Sequence, residues 1–256
     1  MTDTAAERLV TYEVEDGVAW IRLNRPDKRN AVNGPLRSAL ASAVRDAERD
    51  AGVRVVVVTG SGGAFCAGAD VREFQGGEGA VAESRGEYER IVSGLRTMPK
   101  PTIAAVNGVA AGIGASLAMC CDLRYAVPAA YFKEAFVNIG LTVDGGASWL
   151  LPRLVGSGKA LELFYTGDDL SATEAERFGL VNHVVAPEEL EPTVRALAER
   201  LAKGPTAALG AIKRSVNLAA TATLEEAMDF EFLLQGVMME GQDFRERVQA
   251  FLERRA

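Results

Sequence analysis

Val53-Arg54-Val55-Val56-Val57-Val58-Thr59-Gly60-Ser61-Gly62-Gly63-Ala64-Phe65-Cys66-Ala67-Gly68-Ala69-Asp70 is the stretch whose reading decides the fold. Val53–Val58 is a β-branched run with no polar alternation, which predicts a strand covered on both faces. A long loop follows, Thr59–Asp70, with glycines at positions 60, 62, 63 and 68. The same succession returns downstream. Thr102–Val106 is a second buried strand ending at Asn107-Gly108, a helix of small residues runs from about Gly112 to Cys121, and Leu123–Val127 is a third strand. Recurring strand, loop and helix point to an α/β architecture with right-handed crossovers.

Upstream, Val18–Leu23 alternates with a period of two, and Leu9–Val14 is its weaker partner across an Asp16-Gly17 turn. A polar loop, Arg25–Asn33, leads to a helix from about Pro35 to Glu48 with Leu36, Leu40, Val44 and Ala47 as its apolar stripe. Gly76-Gly77-Glu78-Gly79 reads as a mobile surface segment before a helix near Val81–Arg96. The second half is mainly helical. Ala147–Leu154 is an apolar helix, Ser171-Ala172-Thr173-Glu174 has capping-box spacing, and Leu180–Val185 is a short strand. Pro187–Lys203, Pro205–Ala220 and Leu224–Arg255 follow as helices, the last broken near Gly236 or Gly241. With no internal repeat or linker, residues 1–200 are expected to form the core and 201–256 a helical lid or assembly layer of the same functional domain.

Composition narrows the function classes. A length of 256 residues suffices for one sizeable core. The net charge of −7 argues against a nucleic-acid partner, though a local basic patch can still hold a phosphorylated ligand. Val109–Met119 is too short and too rich in Gly and Ala to span a bilayer, and Met1–Val10 lacks the apolar core of a signal peptide, so a cytoplasmic protein without membrane attachment is expected. Three cysteines, two of them adjacent, do not resemble a disulfide framework. The single histidine, His183, gives poor support to a His-based metal site or a Ser-His-Asp triad; it reads as a packed or subunit-contact residue, and no metal is expected.

The glycine-bearing turns at Gly60–Asp70 and Asn107–Gly114 each follow a buried strand, where α/β proteins commonly bind ligands. Glycine lets main chain approach a ligand closely, and a following helix opens with unpaired N–H groups. Close packing alone explains the same glycines equally well. Nucleotide motifs do not fit. Leu117 stands where a dinucleotide fingerprint needs its third glycine, and the Gly60 loop lacks the Lys-Ser/Thr ending of a P-loop.

Several motifs, in order, resemble those of the enoyl-coenzyme A hydratase/isomerase, or crotonase, superfamily: Arg25-Pro26 with Asn30-Ala31, Phe65–Asp70, Asn107-Gly108, Cys121–Arg124, Gly140-Leu141, Leu151-Pro152-Arg153 and Gly179-Leu180-Val181. The resemblance runs from about residue 9 to the C-terminus. It implies a spiral of ββα units with a C-terminal helical region, assembled as a homotrimer or homohexamer, and an acyl-coenzyme A substrate with no cofactor beyond the coenzyme A of that thioester. It places two oxyanion donors on the backbone N–H groups of Ala69 and Ile113, the latter replacing a glycine common in hydratases. Loss of one good oxyanion donor commonly costs about 3–4 kcal/mol. Coenzyme A contacts fall on Arg25, Lys28, Ala31, Ala67, Asp70 and Val71, although Arg25 and Lys28 also read as a solvated basic loop and Asp70 as a residue that sets the turn by accepting backbone hydrogens. Phe244, Arg254 and Arg255 are C-terminal positions where ligand or subunit contact is implied.

The carboxylates distinguish the reactions. The two glutamates that hold water in a hydratase of this type match Ser116 and Phe136 here, and neither side chain replaces a glutamate as general base. Asp144, just before the Ala147 helix, reads locally as an N-cap. It also matches an acidic residue of phenylacetate-pathway ring-epoxide isomerases, which resemble this chain in carrying Ser and an aromatic at the places of Ser116 and Phe136. The resemblance therefore implies isomerisation with Asp144 as acid/base, lined by Phe136, Ile139, Val143 and Trp149 beside Ser116. The alternatives are an enoyl-coenzyme A hydratase with a displaced acid/base group and a non-catalytic acyl-coenzyme A-binding homologue. Glu134 carries no motif match, and Cys66 reads as a small buried side chain rather than a nucleophile.

Overall fold

The computed structural model describes residues 8–72 and 77–253, with residues 77–83 described by backbone alone. β1 (Val10–Glu15) and β2 (Val18–Leu23) pair antiparallel, and the turn between them puts Asp16 and Gly17 at φ 49° and 78°. α1 (Gly34–Arg49) starts where Asn33 accepts the Leu36 N–H at 3.1 Å, and all four residues of the expected stripe are buried. Then come β3 (Val55–Gly60), β4 (Ala64–Cys66), α2 (Gly77–Thr97), β5 (Thr102–Val106), β6 (Val109–Ala111), α3 (Ile113–Met119), β7 (Leu123–Ala126) and β8 (Tyr131–Lys133). A 3₁₀ turn at Ala135–Ile139 precedes α4 (Ala147–Val155), α5 (Ser157–Thr166), β9 (Asp169–Ser171), α6 (Ala172–Arg177), β10 (His183–Val184) and α7 (Pro187–Ala202). The chain closes on α8 (Thr206–Ala219), α9 (Leu224–Met239) and α10 (Gln242–Glu253).

The main sheet has the order β1-β2-β3-β5-β7-β10 and is parallel from β2 onward. Every residue of β3 and β5 is buried, as expected for strands covered on both faces. A second sheet, β4-β6-β8-β9, branches from the ends of β3 and β5, so the two glycine-bearing turns lie side by side where the sheets meet. This second sheet corrects the sequence reading, which takes Thr59–Asp70 as plain loop. Its strands are three residues long, too short for a period of two to show.

Other boundaries move too. Gly77–Gly79 belong to α2 rather than to a mobile segment, and Gly76 lies outside the described residues, as do Arg254 and Arg255. α5 has no counterpart in the sequence reading, and the strand expected at Leu180–Val185 shrinks to β10. The terminal helix breaks at Glu240-Gly241, not at Gly236. The capping box forms as expected, with Ser171 and Glu174 exchanging side-chain and backbone bonds. His183, read as a packed or subunit-contact residue, is exposed on the single chain, its ring 5.1 Å from that of Tyr125, which removes the packed alternative. None of the described helices is long and apolar enough to cross a membrane.

Candidate active site

Two asparagines, the buried Asn30 and the half-buried Asn107, shape the first turn. Asn30, at φ 58°, accepts the Arg25 N–H at 2.9 Å and donates to the carbonyls of Ser61 and Ala64 at 3.0 and 2.8 Å. Asn107 donates to the Gly60 and Gly62 carbonyls at 2.8 and 2.7 Å. On either side of Ala69, the Gly68 carbonyl accepts from Val32 N–H and the Asp70 N–H donates to the Val32 carbonyl, both at 2.8 Å. The Ala69 N–H between them has no acceptor among the described residues.

The second turn is packed against the first. A Cβ on Gly68 would sit 3.0 Å from the Ala111 carbonyl oxygen, and one on Gly114 would collide with the carbonyl of Cys66. Gly112, at φ 49°, precedes α3 and donates its N–H to the Lys133 carbonyl at 2.8 Å. Ile113 is the first residue of α3, so its N–H has no acceptor within the helix. Ala69 and Ile113 thus bring two unspent backbone donors to neighbouring turns. The Cys66 thiol is wholly buried, and burial pushes its pKa up to about 12, which makes it an inert packing group.

The segment carrying Asp144 lies over the second turn. A Cβ on Gly145 would come 2.5 Å from Ile113 Cδ1 and 3.1 Å from Ser116 Oγ, and the Ser116 hydroxyl is 3.5 Å from the Asp144 carbonyl oxygen. The Phe136 ring faces Gly112, 3.4 Å from where a Cβ would stand. The Asp144–Gly145 backbone therefore meets Ile113 and Ser116, and Phe136 covers the adjoining Gly112, although these residues are scattered along the chain. The N-cap reading of Asp144 is corrected: Gly146 occupies that position, at φ 82° and without a side-chain cap. Among the described residues nothing hydrogen-bonds to the Asp144 carboxylate. One side of it is open to solvent, yet its surroundings remove enough water to raise its pKa.

The expected apolar lining is only partly assembled. Val143 is half-buried against the core and Phe136 is half-buried, but Ile139 is 57% exposed and does not enclose the site. Trp149 is packed against the core and also stacks with two arginines, the Arg153 and Arg96 guanidinium carbons standing 4.0 and 5.5 Å from its ring centroid.

The expected coenzyme A contacts divide in the same way. Arg25 donates to Asp70 Oδ2 at 2.9 Å and to the Ala31 carbonyl at 3.1 Å, which commits its guanidinium to holding the loop. Asp70 is gripped by Arg25 and by both forks of Arg72, at 2.9 Å each, and these partners hold its carboxyl well below the usual range. The reading of Asp70 as an acceptor mainly of backbone hydrogens is corrected to an arginine-clamped carboxylate; its one backbone contact is Arg72 N–H at 3.3 Å. Lys28 is exposed, with Nζ 3.9 Å from Asp27, and Val71 is 63% exposed beside the first turn. Ala31 and Ala67 are half-buried, and the Ala67 N–H donates to the Arg29 carbonyl at 2.9 Å.

The sequence reading gives no role to two residues near Asp144. Tyr88 on α2 feels the charge of Asp144, and burial pushes its phenol up to about 12. Glu134 is buried, with neither carboxyl oxygen hydrogen-bonded, and its pKa rises to about 8 through burial and the charge of Asp144. Alternation from buried Phe132 in β8 would have turned Glu134 inward. A hollow of about 1080 Å³ lies elsewhere, between α8, α9 and α10. Among the described residues no group of three His, Cys, Asp or Glu side chains is arranged to hold a metal ion.

Residues 13–256 match the family profile described as enoyl-CoA hydratase/isomerase. The chain is 40% identical over 252 residues to the 1,2-epoxyphenylacetyl-CoA isomerase of Escherichia coli, covering 96% of each. It is 39% identical over 248 residues to the crotonyl-CoA hydratase of Syntrophomonas wolfei, covering 96% of this chain and 95% of that one. Its fold, the α/β spiral with a C-terminal helical region, superposes on the crystal structure of an enoyl-CoA hydratase from Bacillus anthracis with a TM-score of 0.92, 32% identity and 96% of each chain covered. Hydratases outnumber isomerases among such named relatives. A chain with this fold, these paired turns and this degree of likeness belongs to the enoyl-CoA hydratase/isomerase family.

Proposed function

We propose that this enzyme isomerises an acyl-CoA thioester through its enolate, with Asp144 moving the proton. The thioester oxygen lies between the Ala69 and Ile113 N–H groups, which favour the enolate over the neutral carbonyl. Asp144 takes a proton from the α, γ or ring carbon and returns it at another. One carboxylate serves both steps because isomerisation neither adds nor removes water. The observation that carries this reading is the packing of the Asp144–Gly145 backbone on Ile113 and Ser116, with no hydrogen-bond partner for the Asp144 carboxylate among the described residues. A raised pKa suits a group that must both accept and donate a proton. Lys28, Ala31, Ala67 and Val71 offer the coenzyme A end an open edge beside the first turn, while Arg25 and Asp70 hold its shape.

Hydration is the second reading, and the named relatives favour it, since hydratases are the more numerous. Ser116 and Phe136 speak against water addition by two glutamates, so a hydratase here would have to use Asp144. A panel of acyl-CoA thioesters, followed by mass spectrometry and by solvent-proton exchange, separates the two. Isomerisation gives a product of unchanged mass and an exchange that Asp144→Asn suppresses. A product heavier by one water overturns it in favour of hydration, and activity that survives Asp144→Asn removes Asp144 from either mechanism. We further propose that the apolar faces of α9 and α10 are buried against other copies of the chain in a trimer or hexamer.

A further inference from the structure

Glu134 is a carboxyl group that the mechanism above does not use, in a place where an idle carboxyl is costly. It follows β8 directly, and the carbonyl of its neighbour Lys133 accepts the Gly112 N–H at 2.8 Å, so its backbone is joined to the turn that presents the Ile113 donor. Two residues on, Phe136 covers Gly112. Glu134 is 3% exposed, and both of its oxygens are shut off from solvent without any donor. A buried carboxylate with no hydrogen bond is strongly disfavoured, so the group is held as the neutral acid.

The charged groups around it account for which carboxyl ionises first. β6 and α3 carry no ionisable side chain. On β9, Asp169 is ion-paired to Lys133, and on α5 Lys159 is paired with Glu162 beside Tyr165. α6 contributes Glu174, Glu176 and Arg177, of which Glu174 is spent on the Ser171 cap, and α2 offers Tyr88. Of all these groups only Asp144 adds to the effect of burial on Glu134, while burial alone raises Asp144. Asp144 therefore ionises first, and its charge helps keep the proton on Glu134.

We propose that Glu134 is a positioning residue whose retained proton keeps Asp144 the one negative charge beside the forming enolate, and whose ionisation shuts the site down. The step is a simple acid dissociation: the Glu134 O–H breaks, the proton goes to solvent, and a second carboxylate remains in the interior. That charge opposes both a negative enolate and the return of the proton from Asp144. The inference rests on the enolate chemistry proposed for Asp144, and the two fail separately.

The test is the pH profile of solvent-deuterium incorporation into the best-exchanged acyl-CoA of the panel, for wild type, Glu134→Gln, Glu134→Asp and Asp144→Asn, each scaled to its own maximum. Wild type should lose about tenfold per pH unit above about pH 8. Glu134→Gln, neutral at every pH, should lose that alkaline limb, and Glu134→Asp should restore one. An alkaline limb unchanged in Glu134→Gln overturns the inference, because a merely structural glutamate would alter stability or overall rate without moving the profile. Exchange undiminished in Asp144→Asn overturns the Asp144 mechanism instead. Carbon-13 titration of wild-type protein labelled at glutamate carboxyls decides the point even if a variant fails to fold or no thioester exchanges. One carboxyl should ionise near pH 8; if all have ionised by about pH 6, Glu134 is not the retained acid and the inference falls.

Discussion

The sheet region and the last two helices use apolar residues in opposite ways. β3 and β5 are buried throughout, and the turns beyond them are fastened by Asn30 and Asn107 and by glycines whose missing side chains let backbone meet backbone. α9 and α10 contain no buried residue, and Leu224, Phe232, Leu233, Phe251 and Leu252 are more than half exposed. α8 is the boundary between the two regimes. Its Lys213 ion-pairs with Asp122 at 2.9 Å and donates to the Leu95 carbonyl at 2.8 Å, and Gly210 lets the helix close on Pro99. The contrast teaches that the site is built where the chain satisfies itself, whereas α9 and α10 present a face that needs another surface.

The sharpest way to break this comparison is at Asp144, a carboxylate without a hydrogen-bond partner among the described residues on the self-satisfied side. Asp144→Asn should lower turnover by about 10²–10⁴-fold, the usual loss for a missing general base, and leave coenzyme A affinity by calorimetry nearly unchanged. Because burial raises this pKa, wild-type activity should fall as pH drops through a midpoint above the ordinary Asp range. The stability sign is the reverse. Ionising Asp144 costs the folded state more than the unfolded one, so its contribution is greatest at low pH and declines as pH rises through the folded pKa.

Next in size is Gly114→Ala, which forces a Cβ into the Cys66 carbonyl. Denaturant unfolding should show a loss of about 3 kcal/mol, in the upper range for overpacking, together with a collapse of activity because both turns shift. Asn30→Ala strands the Ser61 and Ala64 carbonyls and the Arg25 N–H and places alanine at positive φ. About 2–3 kcal/mol should be lost in the same measurement. The smallest expected effect lies on the other side of the comparison. Phe232→Ser, on an exposed face of α9, should change the unfolding free energy of dilute monomer by no more than about 0.5 kcal/mol while weakening self-association in light scattering. A large loss of monomer stability there would show that α9 packs on its own core after all.

How much could be read in advance follows the strength of local patterns. β2, β3, β5 and β7, the stripe of α1, the Ser171 capping box and the break near Gly241 carry runs or spacings long enough to see. The second sheet has strands of three residues and owes its existence to pairing between segments far apart, so nothing local announces it. Of the candidate site, motif order names Ala69, Ile113, Ser116, Phe136 and Asp144, and the structure sets the Asp144–Gly145 backbone against Ile113 and Ser116 with Phe136 over Gly112. The surroundings of Ile139 and Trp149 were not legible, because an apolar residue looks the same in sequence whether it lines a pocket, stacks on arginine or faces water. Arg25 illustrates a related failure: a basic loop residue offers itself to phosphate until the fold supplies Asp70 from 45 positions away.

The order of residues was therefore sufficient for the fold class and the two strand-following turns through local runs, and for the family through the order of its motifs, because such patterns act over a few residues, whereas the second sheet needed pairing between distant segments. The partnerless state of Asp144, the clamp on Asp70, the stacking of Trp149 and the stranded carboxyl of Glu134 depended on the folded molecule. Each is a matter of solvation and of partners supplied from distant segments, and a group's pKa or availability is set by what surrounds it in space.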